Sequence, residues 1–265
     1  MPRLERQQDF RPVQELPFCY GCGSAFRPGE ETSRDHVPAQ ACFAKADRDF
    51  PLWLPAHFEC NGRHKLEDER LGQLIGLRRR EAPKPESRRL KFRFFQSTAE
   101  QRLVGGITNL DVHAVVQLWL RAFHAALYHE PLPPLTQFAI ETPFPMARLE
   151  GGRVENVAPR AEQHRLVVET LKRERAGDNV DCIRCNNGKL RYECVWDRFN
   201  DGTWLCAFGV DLYGWADLGD TRNFERRGCA GGYSLPDRTI PARASRARNE
   251  AREFKNESPL DPFGE

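Results

Sequence analysis

The sequence predicts an α+β fold in which a small N-terminal module is followed by a mixed domain of helices and antiparallel sheet. Three observations lead to this class. Cysteine and histidine recur in pairs at x2 spacing near the N-terminus, and apolar residues recur at helical spacing in the middle of the chain. Aromatic and β-branched residues then form two runs separated by turn residues. A chain of 265 residues is long enough for one sizeable domain or two small ones.

Composition indicates a folded protein and argues against several classes. Hydrophobic residues make up 40% of the chain, which includes 17 Phe. No apolar run approaches the roughly 18 residues that a membrane span requires, and the first residues lack the apolar stretch of a secretory signal. We therefore expect a cytoplasmic protein without a membrane partner. The net charge of +2 says nothing about a polyanionic partner.

The N-terminal part contains two ligand pairs that suit zinc. Cys19 and Cys22 form a C-x2-C pair with glycines around it, and His57 and Cys60 repeat the spacing just before a predicted helix. Thiolates and an imidazole in two such pairs can close a tetrahedral structural zinc site. The alternative is a set of buried thiols and a core histidine.

The predicted organisation has five parts. They are a polar, loose leader (1–16), the ligand-bearing module (17–77), a basic linker (78–100), an α+β accessory domain (101–235) and a charged tail (236–265). Leucines at helical spacing predict that the module ends in a helix beginning near Asn61. The linker is either a solvated connector or a strip that contacts phosphate.

Two helices are predicted in the accessory domain. Apolar residues at helical spacing predict the first over 111–129, where Thr108 and Asp111 resemble a capping box. The second, strongly charged, is predicted over 161–175. We assign no function to the histidines on or beside the first helix.

Strands are predicted near 136–140 and over 190–196 and 203–213. The last two runs form a hairpin, because an Asn-Asp-Gly turn stands between them. Its aromatic residues are expected in the core of a sheet.

The remaining cysteines leave one question open. The total of nine is odd, and several cysteines stand at C-x2-C spacing. In an intracellular protein that pattern favours metal binding or buried thiols over disulfides. Cys182 and Cys185 repeat the C-x2-C spacing, so a second zinc site stays an alternative. Three further cysteines could complete it but stand at other spacings: Cys194, Cys206 and Cys229. Cys42 has no partner at ligand spacing and is expected in the core.

Groups suited to hydrolysis lie between and beside the ligand pairs. Asp35 and His36 begin a short strand-like motif that ends at a proline. Because neighbouring strand residues point to opposite faces, this pair needs a bend or acts through a metal and a water. Asn61 follows Cys60 directly, and His64 is one helical turn further on. A carboxylate, an imidazole and an amide oxygen suit hydrolysis with Mg²⁺ or Mn²⁺.

The stretch 19–69 resembles the HNH endonucleases, whose ββα-metal fold carries one catalytic divalent ion. The likeness rests on the C-x2-C pair, on Asp35-His36-Val37-Pro38, on 54–61 and on the acidic run 67–69. It implies a zinc-stabilised ββα-metal module and metal-dependent hydrolysis of phosphodiester bonds in DNA. Some stand-alone bacterial proteins of this type carry an additional C-terminal domain, and similar proteins act in restriction or phage defence.

The resemblance also implies residue roles. His36 corresponds to the general base, while Asp35 and Asn61 correspond to the ligands of a catalytic Mg²⁺ or Mn²⁺. Apart from the resemblance, the position of His64 one helical turn beyond Asn61 would let it add a third ligand or touch phosphate, and a surface histidine is the alternative. The family's cysteine pairs, which hold structural zinc, correspond to Cys19, Cys22, His57 and Cys60. The implied partner is double-stranded DNA, and the oligomeric state stays open, a dimer included.

The chain departs from the family pattern at one position. The middle asparagine that steadies the catalytic histidine is absent from 50–55. Either a backbone carbonyl orients His36 instead, or the chain is a zinc-stabilised nucleic-acid-binding module without catalysis. A redox or regulatory cysteine protein is the third class left open.

Overall fold

The computed structural model describes residues 2–79, 90–97, 102–132, 136–141, 147–150, 153–156, 161–198, 204–213 and 229–235. Its helices are α1 Phe58–Arg78, α2 Val112–Tyr128 and α3 Ala161–Ala176, with short 3-10 turns at Gln7–Phe10, Pro12–Glu15, Gln40–Cys42 and Lys45–Asp47. Its strands are β1 Arg3–Leu4, β2 Thr32–His36, β3 Trp53–His57, β4 Phe92–Ser97, β5 Arg102–Ile107, β6 Gln137–Glu141, β7 Ala147–Glu150, β8 Arg153–Asn156, β9 Asp181–Cys185, β10 Leu190–Arg198, β11 Trp204–Leu212 and β12 Cys229–Leu235. This mixture agrees with the predicted α+β class. Among the described helices, none is long and apolar enough to cross a membrane.

The N-terminal module has the order strand, strand, helix. β2 pairs antiparallel with β3, with Asp35 opposite Leu54 and His36 opposite Trp53. α1 then begins directly after β3. A Cβ on Gly72 of α1 would lie 2.6 Å from the Cβ of Ala41, so glycine permits the close approach of α1 to the turn 40–42. The hairpin and the helix therefore form one packed unit.

α2 is the most apolar helix and lies in the middle of the core. Asp111 is its N-cap, because the Asp111 carboxylate accepts a hydrogen bond from the backbone N–H of Ala114 at 3.0 Å. The prediction of a capping box that begins at Thr108 is therefore wrong, because the N-cap lies three residues later. The helix ends at His129 in the left-handed conformation, with φ of 59°.

The largest sheet has six strands in the order β1-β9-β10-β11-β12-β6. β1 runs parallel to β9, and the other neighbours in this sheet are antiparallel. The predicted hairpin is confirmed, since β10 and β11 pair from Leu190↔Leu212 to Arg198↔Trp204. Two-stranded antiparallel pairs β4–β5 and β7–β8 lie outside this sheet.

The N-terminal segment is not a loose leader, which corrects the prediction for residues 1–16. β1 adds a strand to the large sheet by pairing Arg3 with Cys182. Phe10, Val13 and Leu16 are buried, with 3%, 0% and 5% of their surfaces exposed. Because apolar side chains here pack into the core, the segment contributes to folding despite its polar composition.

The module and the large sheet share one hydrophobic core, which extends from Leu4 to Leu212. Tyr213, after β11, docks on the module: its hydroxyl accepts hydrogen bonds from the backbone of Ala44 at 2.7 Å and from the Arg79 guanidinium. The range predicted as a linker, 78–100, includes the end of α1 and the strand β4. The predicted tail, 236–265, lies outside the described residues.

Candidate metal centre

The first ligand pair stands on a tight turn. The N–H of Cys19 donates to the carbonyl of Ser24 at 2.9 Å, and the N–H of Gly23 donates to the carbonyl of Cys19 at 2.8 Å. Gly23 has φ of +79°, a left-handed conformation that glycine adopts without steric cost. The turn therefore presents Cys19 and Cys22 to the same space.

The second pair stands where a strand becomes a helix. His57 is the last residue of β3, and Cys60 lies in the first turn of α1. At this junction the x2 spacing brings both side chains to one side of the backbone. Local geometry thus turns each of the two sequence pairs into a chelating pair.

The four side chains converge, as the sequence predicts. The ligand atoms of Cys19, Cys22, His57 and Cys60 lie within 4.8 Å of one another. His57 Nδ1 is 3.3 Å from Cys22 Sγ and 3.9 Å from Cys60 Sγ. Zn–S bonds of about 2.3 Å and a Zn–N bond of about 2.0–2.1 Å place a tetrahedral sulfur and nitrogen about 3.6 Å apart, so the observed separations fit such an ion with small adjustments. This cluster of three cysteines and one histidine could hold a structural metal ion such as zinc.

The electrostatics of Cys22 and Cys60 also favour a cation. Burial alone would raise the pKa of Cys22, but hydrogen bonds with Ser24, Cys19 and His57 outweigh it and lower that pKa to about 7. Burial and the neighbouring thiols Cys19 and Cys22 raise the pKa of Cys60 to about 12. Crowded thiols resist ionising together, and a bound divalent cation removes that penalty because it ligates thiolates.

A carboxylate that the sequence analysis missed lies behind the histidine ligand. Glu30 Oε1 is 3.5 Å from His57 Nε2, on the opposite side of the ring from the thiols. Glu30 ends a turn that begins at Arg27 and contains Gly29 at φ of +79°. The Pro-Gly dipeptide in this turn is a sequence signal for the shape of the turn, but no sequence signal shows that Glu30 faces His57.

The other C-x2-C pair does not converge in the same way. Cys182 Sγ contacts Glu5 Oε1 at 3.3 Å, whereas Cys185 is buried and its Sγ accepts from the Asn186 amide at 3.4 Å. Within the described part of the chain, the cluster around His57 is the only Cys, His, Asp and Glu group that could hold a metal. Cys42 is buried in the core, as the sequence predicts, and Cys194 and Cys206 are buried there as well.

Asp35, predicted as a ligand of a catalytic ion, is buried with 8% of its surface exposed. Its carboxylate accepts a hydrogen bond from the Tyr20 hydroxyl at 2.5 Å. Burial raises the pKa of Asp35, while the hydrogen bonds from Tyr20 and from the His36 backbone oppose this change. On α1, burial and the charges of Asp35 and Glu67 raise the pKa of Asp68 to about 7. Sequence reasoning assigned no role to Tyr20, and it included Asp68 only as part of the acidic run 67–69.

His36, predicted as the general base, is half-buried at the end of β2. Its Nε2 lies 2.9 Å from the side-chain nitrogen of Gln40. Burial and the charge of Arg48 lower the pKa of His36, which keeps its imidazole neutral near pH 7. A neutral imidazole is the form that can accept a proton.

Asn61 joins the helix to the hairpin. Its side-chain amide nitrogen donates to Ser33 Oγ at 2.9 Å and to the Arg34 carbonyl at 3.4 Å. His64, further along α1, is half-buried, and burial lowers its pKa while Glu67 opposes the change. Thus Asn61 contacts β2 close to Asp35.

The predicted catalytic residues do not all share the same neighbours. Asn61 binds Ser33, which alternation puts on the same face of β2 as Asp35. His36 follows Asp35 in a regular strand, and its contact is with Gln40. The described contacts bring Asn61 to β2 beside Asp35, and they give Asp35 and His36 different surroundings.

No family model matches the chain. No curated protein and no solved structure matches it either. The roles considered for these residues therefore depend on the sequence motifs and on the geometry.

Proposed function

We propose that this protein is a metal-dependent endonuclease of the HNH type that hydrolyses phosphodiester bonds in DNA. The observation that carries the proposal is the unit formed by β2, β3 and α1, with the cysteine–histidine cluster at the junction of β3 and α1. In this unit Asp35 and His36 come from the first strand, and Asn61 comes from the first turn of the helix. That arrangement agrees with the roles implied by the sequence motifs.

His36 is the proposed general base. Its lowered pKa leaves the imidazole neutral at physiological pH, which is the state needed to take a proton from water. Gln40 lies against the ring at Nε2. With its amide oxygen turned to that atom, Gln40 would accept from Nε2–H, orient the imidazole as the missing asparagine would, and leave Nδ1 free to take the proton. Gln40 therefore offers an alternative to the backbone carbonyl considered from the sequence.

Asp35 and Asn61 are the proposed ligands of the catalytic ion, with His64 as a further ligand or a phosphate contact. A hard ion such as Mg²⁺ or Mn²⁺ supplies charge neutralisation at the scissile phosphate when bound. Carboxylate and amide oxygens suit such an ion. The contact of Asn61 with β2 brings its side chain beside Asp35. Tyr20 holds the Asp35 carboxylate in place through its hydroxyl.

Double-stranded DNA is the proposed partner. Arg34 is exposed, and its guanidinium stacks on Trp53 at 4.8 Å from the ring centre. By alternation Arg34 lies on the same face of β2 as His36, where a cation can contact a phosphate near the base. A restriction or phage-defence effector acting in the cytoplasm is the biological setting that we propose by analogy with similar nucleases.

One observation favours a second function, a zinc-stabilised nucleic-acid-binding module without catalysis. Asp35 is buried and its pKa is raised, so burial disfavours the ionised carboxylate that a divalent ion needs. The absence of the family's middle asparagine also favours a module without catalysis. This module would retain DNA in a salt-sensitive manner, and it would not cut DNA with any metal ion present.

The two functions are separated by a nuclease assay on plasmid DNA and on RNA with Mg²⁺, Mn²⁺ or EDTA. The wild-type protein should nick plasmid with Mg²⁺ or Mn²⁺, and His36→Ala should reduce cleavage at least about 100-fold, because a general base contributes 10²–10⁴ to the rate. His113→Ala, at a half-exposed position of α2, is the control and should cut normally. Zinc content should be the same in all three proteins. Undiminished cleavage by His36→Ala would remove the catalytic assignment, and no cleavage by the wild type would favour the binding module.

A further inference from the structure

We infer that Glu30 is a positioning residue of the metal centre. Its carboxylate lies beside Nε2 of His57 and favours the proton on that nitrogen, which makes Nδ1 the atom that would bind the metal. The inference concerns the cysteine–histidine cluster alone and does not depend on the proposed nuclease activity.

The two ring nitrogens of His57 have opposite surroundings. Nδ1 faces sulfur, at 3.3 Å from Cys22 and 3.9 Å from Cys60. Nε2 faces oxygen, at 3.5 Å from Glu30 Oε1. A neutral imidazole carries its proton on one nitrogen only, and a carboxylate beside Nε2 favours the proton there. The lone pair on Nδ1 then points to the thiol cluster.

Glu30 is itself held in place by its turn. The Arg27 N–H donates to Glu30 Oε2 at 2.8 Å, and the Glu30 N–H donates to the Arg27 carbonyl at 3.0 Å. One carboxylate oxygen is thus bound to backbone and the other is directed at His57. Phe26 adds an edge contact to the imidazole, with ring centres 5.0 Å apart and planes at 74°. The ring is therefore restrained on its flank as well as at Nε2.

Metal ligation strengthens this arrangement. A cation on Nδ1 withdraws charge from the ring and makes Nε2–H a better donor, so the contact with Glu30 should shorten from 3.5 Å towards hydrogen-bond length. Carboxylate partners of histidine ligands typically change metal affinity by 10–100-fold when they are removed. Glu30 should therefore slow the loss of metal.

The test compares Glu30→Ala, Glu30→Gln and the control Glu31→Ala, all loaded with zinc. The neighbouring Glu31 is exposed and loses the same charge. We expect zinc transfer to excess chelator to be about 10–100-fold faster in Glu30→Ala than in wild type, and unchanged in Glu31→Ala. Glu30→Gln should restore most of the difference, because its amide oxygen still accepts from Nε2–H.

A second measurement reads the tautomer itself. ¹⁵N NMR of the imidazole in the zinc-loaded wild type should show the proton on Nε2 and the metal on Nδ1 of His57. The same readout on Glu30→Gln remains informative if Glu30→Ala fails to fold, which circular dichroism checks. Equal zinc-release rates in Glu30→Ala and Glu31→Ala, or a proton on Nδ1, would overturn the role of Glu30.

Discussion

Two C-x2-C pairs in this chain have the same spacing but different geometry. Cys19 and Cys22 lie on a tight turn, and their sulfurs meet the ring nitrogen of His57 and the sulfur of Cys60. Cys182 and Cys185 lie on the strand β9. In a strand, residues separated by an odd number of positions point to opposite faces. The same sequence spacing therefore gives a chelate on a turn and two separated thiols on a strand.

The neighbours of Cys182 and Cys185 show this separation. Cys182 shares a face of β9 with Arg184, and Glu5 contacts both of them. Cys185 shares the other face with Ile183, which is fully buried in the core. The left-handed residues of this region, from Asn186 to Gly188, follow the cysteine pair instead of enclosing it. Backbone conformation between the cysteines, more than their spacing, decides whether a metal can bind.

The largest expected effect comes from removing one cysteine of the metal centre, compared with removing one cysteine of the pair on β9. Cys60→Ala should lose stoichiometric zinc and the cooperative unfolding of the N-terminal module, since structural zinc binding is worth roughly 10 kcal/mol. Cys182→Ala should keep one zinc per chain. Metal analysis measures the zinc content of the two variants, and thermal unfolding with and without EDTA measures the cooperativity of their unfolding. The comparison would fail if Cys182→Ala also lost its zinc, or if Cys60→Ala kept it.

The pH dependence of zinc binding should be the next largest effect. In the metal-free site Cys22, with a pKa of about 7, is mostly ionised above that pH, while Cys60, with a pKa of about 12, keeps its proton. Zinc must displace that proton, so affinity should rise about tenfold or more per unit between pH 7 and 9. Competition with a chelator of known pH dependence measures the slope.

Cys60→Asp is the matched variant for this slope, because a carboxylate is already ionised at pH 7. Its zinc affinity should be weaker than that of wild type and should depend less on pH. A wild-type affinity that stays flat across this pH range would contradict the protonation state assigned to Cys60.

The smallest expected effect concerns two left-handed glycines. Gly23 in the metal turn and Gly188 in the β9–β10 turn have φ of +79° and +72°. Alanine at either position should lower the free energy of unfolding by about 1 kcal/mol through backbone strain. Only Gly23→Ala should also speed zinc release, since its Cβ would lie 3.2 Å from Pro131 and disturb the turn.

Chemical denaturation and zinc transfer to a chelator measure the two variants side by side. Faster zinc release in Gly188→Ala would mean that the second turn is coupled to the metal centre. Unchanged release in Gly23→Ala would mean that the metal tolerates a distorted turn.

Much of the local structure was predictable from periodicity. The helices predicted over 111–129 and 161–175 correspond to Val112–Tyr128 and Ala161–Ala176. The metal ligands were predictable because each pair is a local chelate with turn or helix signals beside it. The catalytic assignment of His36 stays a prediction, because no observation here tests activity.

What the sequence alone determined is short-range: helices, the hairpin, and the two local ligand pairs of the metal centre. Only the tertiary structure decided that Arg3 pairs with Cys182 and that Glu30 faces His57. It also decided that Tyr20 holds Asp35. Periodicity and turn chemistry depend on neighbours along the chain, whereas these contacts join separate segments whose approach depends on how the whole core packs. For that reason the C-x2-C spacing identified both cysteine pairs as candidate ligands. Only the folded backbone distinguished the pair on a metal-binding turn from the pair on a strand.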